Sequence, residues 1–276
     1  MTHSSQTVTP LEDLKAAQHR TWNNGDYGKI AWLTVPLART LVAETGIRPG
    51  SSVLDVATGT GHVALEAARM FCDVTGIDYV ENLVEVARRR AAAEGLPIAF
   101  EVADAEDLPF ADASFDAVLS AIGVMFTADH QRAAAELVRV CRPGGLIGIA
   151  SWTAEGFIGQ LLKTVAAHVP PSPVALPPTR WGSEEVVREL LGSEATDVTS
   201  SVYVVTQRFV SEEAFADFML TNYGPTYTAA QRLDAHGRTA FRDDLVALAA
   251  TSNTSLSGDF AVDWQYRVVT ATRRAT

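Results

Sequence analysis

The chain has 276 residues, of which 47% are hydrophobic and 20% charged, and its formal net charge is −11. This is the composition of a globular protein with a sizeable core, and the acidic balance argues against a nucleic-acid partner, because such a surface repels phosphate groups. The polar N-terminus lacks an apolar signal segment and no uncharged apolar stretch is long enough to span a membrane, so we expect a cytoplasmic protein without membrane insertion.

The cysteines do not indicate a metal site. Cys72 and Cys141 show neither metal-ligand spacing nor a disulfide framework. Both lie in apolar segments, which predicts buried, reduced thiols. We therefore expect no bound metal.

The N-terminal part begins with a frayed tail over residues 1–10. Residues 11–45 read as two helices separated by an Asn-Asn-Gly-Asp break, around which Trp22, Tyr27 and Trp32 cluster. Two interpretations of these aromatics stay open: they pack the helices onto the core, or they form a lid over a site formed farther along the chain.

A strand, a tight turn and a helix follow over Val53–Leu65. An apolar run rich in β-branched residues changes into a turn containing Gly59 and Gly61, and helical spacing then begins. The glycines allow a close approach to the backbone, and the first turn of the helix offers free N–H groups. This stretch predicts a site for a small polar ligand.

Strands and helices then alternate with short loops as far as residue 151. The predicted elements are strands over Cys72–Asp78, Ile98–Val102, Phe115–Ser120 and Leu146–Ser151, and helices over Glu81–Glu94 and Asp129–Cys141. The strands are near-continuous apolar runs, as expected of a parallel sheet covered by helices on both faces.

The alternation ends after residue 152. The predicted elements are a helix over Ser183–Leu191, a strand over Asp197–Val210, helices over Glu212–Leu220 and Ala229–Ala250, and a strand over Val262–Thr272. We interpret the two late strands as an antiparallel addition to the sheet edge and the intervening helices as a cap.

The predicted fold is therefore an α/β, doubly wound, mostly parallel seven-stranded sheet of Rossmann-like type. Residues 1–45 would form an N-terminal helical lid and residues 46–152 a cofactor-binding core. Residues 153–276 would supply the cap helices, inserted before the last strand, and the antiparallel strands that complete the same domain.

Acidic residues mark the ends of three neighbouring strands: Asp55, Asp78 and Asp104. Ligands of open parallel sheets bind beyond these carboxyl ends. The phosphate-loop pattern is absent and no lysine is near the turn in the sequence, which argues against a phosphate site. Carboxylates instead suit hydroxyl groups, amino groups and cations.

Five motifs occur together in this block. They are Val53–Gly61, Gly76-Ile77-Asp78, Ala103–Phe110, Ser114-Phe115-Asp116 and Arg139–Gly145. In order and spacing, residues 45–152 closely resemble the class I S-adenosylmethionine-dependent methyltransferases. The resemblance is closest to the branch that includes ubiquinone/menaquinone-biosynthesis C-methyltransferases and many small-molecule methyltransferases.

The resemblance implies S-adenosylmethionine as cofactor and S-adenosylhomocysteine as product. Asp78 would accept the ribose hydroxyls, Asp104 the adenine amino group beside the Ala105 N–H, and Asp55 would receive the methionine amino group or hold the turn. The implied cofactor-binding residues are Tyr27, Asp55, Ala57, Thr58, Gly59, Gly61, Asp78, Tyr79, Asp104, Ala105, Ser120 and Ile122. Ala57 departs from the family, which often has a third glycine there.

A nicotinamide-dinucleotide site is the rival interpretation of the turn, since residues 59–64 fit the pattern G-x-G-x-x-A. Asp55 argues against it, because dinucleotide sites have an apolar strand residue at that point. The Asp104-Ala105 and Arg142–Gly145 motifs also have no role in a dinucleotide site.

His130 is the candidate general base, since it follows the fourth strand; a capping or core-edge role is the open alternative. The predicted substrate pocket is aromatic and apolar, and consists of Trp22, Met125, Phe126, Trp152, Tyr223 and Tyr227. Such a pocket suits a small hydrophobic or aromatic acceptor, with the methylated atom (oxygen, nitrogen or carbon) left open.

An alternative function is a protein that binds S-adenosylmethionine but performs a non-methylating reaction, such as a cyclisation, or serves as a binding subunit. The late strands or the N-terminal helices could pair two copies into a homodimer.

Overall fold

A seven-stranded sheet organises the computed structural model, which describes residues 9–275. The strands are β1 Ser52–Val56, β2 Asp73–Asp78, β3 Ile98–Val102, β4 Phe115–Ala121, β5 Cys141–Trp152, β6 Ala195–Phe209 and β7 Phe260–Arg273. Their order is β3-β2-β1-β4-β5-β7-β6. The first five strands are parallel, and β7 runs antiparallel to both β5 and β6. The predicted fold class is confirmed.

Helices flank this sheet. They are α1 Pro10–Trp22, α2 Tyr27–Ala31, α3 Val35–Thr45, α4 His62–Arg69, α5 Glu81–Glu94, α6 His130–Val140, α7 Phe157–His168, α8 Glu184–Leu191, α9 Glu212–Asn222, α10 Gly224–Arg232 and α11 Ala235–Ser252. Inner strand residues such as Val53, Leu54 and Leu119 are completely buried, which explains the near-continuous apolar runs.

Local capping chemistry sets several helix boundaries. The Asp129 carboxylate accepts from the backbone N–H of Arg132 at 3.0 Å, so Asp129 is the N-cap of α6. Ser183 and Asp234 cap α8 and α11 in the same way. Gly95 adopts a left-handed conformation and ends α5.

The structure differs from the predicted elements at several places. Helix α7 was not predicted; its N-cap, Gly156, makes no side-chain hydrogen bond, so the usual start signal is missing. The predicted helix over residues 229–250 is two helices, α10 and α11. The predicted tail lies outside the described residues except for Thr9 and Pro10, where α1 is already capped and begins.

The N-terminal helices and the helices before β7 contact each other closely. A Cβ on Gly224, at the start of α10, would lie 2.6 Å from the Thr21 carbonyl oxygen of α1. A Cβ on Gly25 would lie 2.5 Å from the Asn222 carbonyl oxygen. Glycine is therefore required at both positions for this approach. The division into lid, core and cap remains a proposal.

Cys72 and Cys141 are buried free thiols, as predicted. Within residues 9–275, no helix has both the length and the apolar character needed to cross a membrane. No group of three or more His, Cys, Asp or Glu side chains in the same range is arranged to hold a metal ion.

Candidate functional site

The turn after β1 is held in left-handed backbone conformations. The φ angles of Ala57, Gly59 and Gly61 are 55°, 53° and 87°. This region disfavours residues with a Cβ, which gives a physical reason for a glycine at the position of Ala57. A Cβ on Gly59 would meet nothing within 4 Å, so open space faces the turn at that residue.

Asp55 fastens this turn to the helix that follows it. Its Oδ2 accepts from the Thr58 hydroxyl at 2.5 Å and from the Ala64 N–H at 2.9 Å. Burial raises the pKa of Asp55 to about 7, although these two hydrogen bonds oppose the shift. Since Asp55 is buried and does not line the cavity described below, the geometry corresponds to the turn-holding role.

Asp78 ends β2 with its carboxylate beside the turn. Oδ2 accepts from the Gly59 N–H and Oδ1 from the Val80 N–H, both at 2.9 Å. Burial raises the pKa of Asp78 to about 6, against the opposing effect of these hydrogen bonds. The neighbouring Tyr79 ring contacts His19 edge-on, with ring centroids 5.2 Å apart.

Asp104 and Glu106 follow β3, and both contact the ammonium group of the same lysine. Lys15 of α1 forms ion pairs with Asp104 Oδ2 and with Glu106 Oε2, the latter at 2.7 Å. Burial alone would lower the pKa of Lys15, but the hydrogen bonds to both carboxylates outweigh it and raise the pKa. No lysine is near the turn in the sequence, but Lys15, far away in sequence, lies close to these carboxylates in space.

These groups line one cavity with about 1140 Å³ of empty space, its open mouth included. The predicted residues that line it are Trp22, Tyr27, Ala57, Thr58, Gly59, Asp78, Tyr79, Asp104, Ala105, Ile122, Phe126, Trp152 and Tyr223.

The cavity is polar at one end and aromatic at the other. Its charged lining residues, Lys15, Asp78, Asp104 and Glu106, belong to the end formed by the turn and the strands β2 and β3. Trp22 packs edge-on against Tyr27 and Phe126, with centroid distances of 5.2 and 4.6 Å.

Further apolar side chains complete the aromatic end. They are Ile30, Trp152, Ile158, Met219, Tyr223 and Trp264. Among residues 9–275, the buried Tyr223 hydroxyl has no hydrogen-bond partner. Burial raises the pKa of Tyr223 and also that of Tyr27, whose ring centroid lies 6.5 Å from that of Tyr223.

Several predicted site residues do not line the cavity. Ser120 supports the loop after β4: its hydroxyl donates to the Val56 carbonyl at 2.8 Å and accepts from the Val124 N–H. Gly61 begins α4 where a Cβ would lie 3.1 Å from that of Ala87. Met125 is fully buried in the core, and Tyr227 is half-buried on α10.

His130 is also outside the cavity lining. It is 2% exposed, and its ring packs edge-on against Trp181 with centroids 5.8 Å apart. Burial, reinforced by the charge of Arg180, lowers its pKa to about 4. The structure thus places His130 as a buried packing residue at the start of α6, outside the cavity lining.

His62 does line the cavity, within the glycine turn. Its Nδ1 lies 3.0 Å from an Arg90 guanidinium nitrogen. Because arginine can only donate, Nδ1 must accept and the proton must sit on Nε2. Burial, together with Arg90, lowers the pKa of His62 to about 3, so the ring is a neutral packing group.

Lining residues that sequence reasoning missed come from distant parts of the chain. They include Lys15, Gln18, Thr34, Glu106, Ile158, Met219 and Trp264. One signal was available: Lys15, Gln18 and Trp22 have the spacing of a single helix face. Met219 and Trp264 carry no local pattern that marks them.

Comparisons with known proteins agree with this geometry. Residues 54–149 match the family model described as "Methyltransferase domain". An uncharacterised protein of Mycobacterium tuberculosis strain H37Rv is 43% identical over 265 residues, covering 94% of this chain and 95% of that protein. A demethylmenaquinone methyltransferase of Deinococcus radiodurans is 39% identical over 137 residues, covering 48% of this chain and 57% of that protein.

Solved structures share the fold at low identity. A putative methyltransferase from Bacillus halodurans has a TM-score of 0.59 at 19% identity, covering 86% of this chain and 99% of that one. A Haemonchus contortus phosphoethanolamine N-methyltransferase, solved with S-adenosylhomocysteine, has a TM-score of 0.56 at 18% identity, and the match covers 97% of this chain and 61% of that one. The [4+2]-cyclase SpnF has a TM-score of 0.54 at 21% identity, covering 88% and 81%.

Proposed function

The chain belongs to the class I S-adenosylmethionine-dependent methyltransferases, and from this membership we propose that it methylates a small, uncharged, apolar or aromatic metabolite. The observation that carries this proposal is the two-ended cavity. Carboxylates and an open glycine turn lie at one end, and a packed set of aromatic side chains lies at the other.

The polar end fits the cofactor. Asp78 offers carboxylate oxygens to ribose hydroxyls, Gly59 leaves room for the methionine part, and Asp104 offers an acceptor to the adenine amino group. Charge-assisted hydrogen bonds of this kind are worth about 1.5–3 kcal/mol each. When bound, the cofactor supplies a methyl group on a positively charged sulfur that is activated for displacement.

The aromatic end suits an uncharged acceptor. Within residues 9–275, its lining side chains carry no formal charge, so a charged acceptor would lose its hydration without gaining a counter-charge. The Tyr223 hydroxyl, which has no partner among residues 9–275, supplies a hydrogen bond that can orient a polar group on an otherwise apolar molecule.

Catalysis would depend mainly on alignment and on the exclusion of water. The proposed role of Trp22, Tyr27 and Phe126 is to close the space between the two ends and to hold the acceptor in line. With His130 buried elsewhere and the pKa values of Tyr27 and Tyr223 raised, we assign no general base. The acceptor would react in a protonation state that it reaches without help from a side chain.

Calorimetry tests the cofactor site. We expect micromolar binding of S-adenosylmethionine and at least about tenfold weaker binding by Asp78→Ala, since a charge-assisted hydrogen-bond acceptor is lost. Asp73→Ala, at the exposed start of the same strand, is the matched control and should bind normally. Absence of binding by the parent protein would contradict the proposed site.

Transfer of a labelled methyl group to a metabolite extract tests the acceptor class. We expect label in the apolar, uncharged fraction. Label only in charged amines or acids would contradict the proposed acceptor class. Cofactor binding with no labelled product would favour the non-methylating alternative.

A further inference from the structure

One face of helix α1 lies over the cavity, with Lys15 at the polar end and Trp22 at the aromatic end. Lys15, Gln18 and Trp22 all line the cavity, and their spacing puts them on the same side of the helix. None of the residues of α1 is fully buried, so the helix has a weak apolar anchor compared with the core helices. This shallow burial is typical of a segment that can move, and not of a core helix.

The two halves of α1 are held differently. Its C-terminal end is packed: Trp22 contacts Phe126 and Tyr223, and the following Asn23 accepts from the Asn82 side chain at 2.8 Å. Toward the N-terminal end, the tie to the rest of the molecule is the ion pair of Lys15 with Asp104 and Glu106.

Glu106 connects this ion pair to the rigid part of the protein. Its Oε1 accepts from the backbone N–H groups of Ala128 and Asp129 at 2.7 and 3.0 Å, while Oε2 contacts Lys15. The Glu106 side chain is 8% exposed, whereas those of Lys15 and Asp104 are 30% and 34% exposed. One partner is thus fixed, while the Lys15 and Asp104 side chains remain partly exposed to solvent.

We propose that Lys15 is the latch of a lid formed by residues 10–22, and that cofactor or its product passes the polar end of the cavity when this ion pair opens. The proposal rests on the proposed function for the identity of the ligand. Lys15 is a positioning residue here: it acts by keeping α1 closed, with the hinge at the aromatic contacts of Trp22.

The test is the release rate of S-adenosylhomocysteine, followed by stopped-flow tryptophan fluorescence after mixing the complex with excess S-adenosylmethionine. Lys15→Met keeps the apolar stem and removes the charge. We expect about fivefold faster release, the order expected for a partly exposed ion pair. Lys29→Met is the matched control, because Lys29 of the neighbouring helix α2 also forms an ion pair, with Asp26. This variant should release the product at the same rate as the parent protein.

Salt provides a signature that a merely structural role would not show. Raising the ionic strength should speed release from the parent protein, because salt screens a partly exposed ion pair. The same change should leave Lys15→Met nearly unaffected, and Lys15→Arg should restore both slow release and salt sensitivity. Equal release rates in the parent and Lys15→Met, or equal salt responses, would overturn the latch.

Hydrogen exchange of the cofactor-free protein separates this proposal from the proposed function. Lys15→Met should speed amide exchange over residues 10–22 and leave α6 unchanged. This outcome would support the latch even if S-adenosylhomocysteine failed to bind, a result that would contradict only the proposed function. Weaker cofactor binding with unchanged exchange of α1 would instead make Lys15 a direct ligand contact and overturn the latch.

Discussion

At the scale of single residues, strain and burial concentrate around the turn after β1. Ala57 has a positive φ, and so has the β-branched Ile122, which lines the cavity after β4. Conformations of this kind cost about 1–3 kcal/mol each and persist where the surrounding structure determines them. The two strained residues therefore mark the same place as the buried carboxylates Asp55 and Asp78.

Ala57→Gly should stabilise the protein. The strain that the positive φ causes at alanine is larger than the entropy that glycine adds to the unfolded chain. We therefore expect the free energy of unfolding, measured by urea denaturation, to rise by about 0.5–1 kcal/mol. Ala247→Gly, at an exposed interior position of α11, is the control and should lower it by about 1 kcal/mol. A loss of stability in Ala57→Gly would show that the Cβ contributes more through packing than it costs in strain.

Cofactor affinity should rise with pH through about 6. Burial keeps Asp78 partly protonated, with a pKa of about 6, whereas hydroxyl donors bind the ionised carboxylate. Binding therefore releases a proton, and below pH 6 affinity should increase by up to about tenfold per pH unit before levelling off.

The charge of His19 lowers the pKa of Asp78, while Asp55, Tyr27 and Tyr79 also lie close to it. Asp78→Asn should bind the cofactor weakly, and its affinity should not rise with pH around 6. Calorimetry between pH 5 and 8 measures both profiles, and a flat profile for the parent protein would refute the assignment of the rise to Asp78.

At the scale of elements, the cavity depends on the close approach of α1 and α10. Their contact passes over Gly224, where a Cβ would lie 2.6 Å from the Thr21 carbonyl oxygen. The two helices bring Trp22 and Tyr223 together at a centroid distance of 6.5 Å. The aromatic end is thus shaped by backbone proximity as well as by its side chains.

Gly224→Ala should push these helices apart. We expect a loss of about 1–3 kcal/mol in the free energy of unfolding, as for overpacking at a rigid site. Gly28→Ala on α2 is the control, because its added Cβ would meet within 4 Å only the exposed Asp26 side chain, at 3.1 Å. Thermal denaturation of the two variants measures the difference, and equal stabilities would mean that α1 and α10 adjust without strain.

At the scale of the whole molecule, the sequence predicts the block from β1 to β5 well. The reason is physical: each strand there is an apolar run ended by a turn residue or an acid, so local patterns specify both the element and the position of Asp78 and Asp104. Elsewhere local patterns are weaker. Helix α7 begins without a side-chain cap, and the two helices after residue 223 read as one.

The cavity itself was only partly predictable. Trp22, Phe126, Trp152 and Tyr223 could be proposed because aromatic residues outside the core block are candidates for a pocket. The place of Lys15 in the cavity could not be predicted, because it depends on contacts with two carboxylates about ninety positions away. His130 shows the converse case, since proximity in sequence to a strand end did not bring its ring to the cavity lining.

The elements that line this cavity are synthesised at very different times. Helix α1 emerges before the other described elements and β7 after them, yet Trp22 and Trp264 border the same space. A nascent chain that already carries Asp78 and Asp104 therefore still has an open cavity. The aromatic end of the cavity is therefore complete only after translation has passed residue 264, and prematurely terminated chains would lack the stabilisation that a ligand bound across both ends provides.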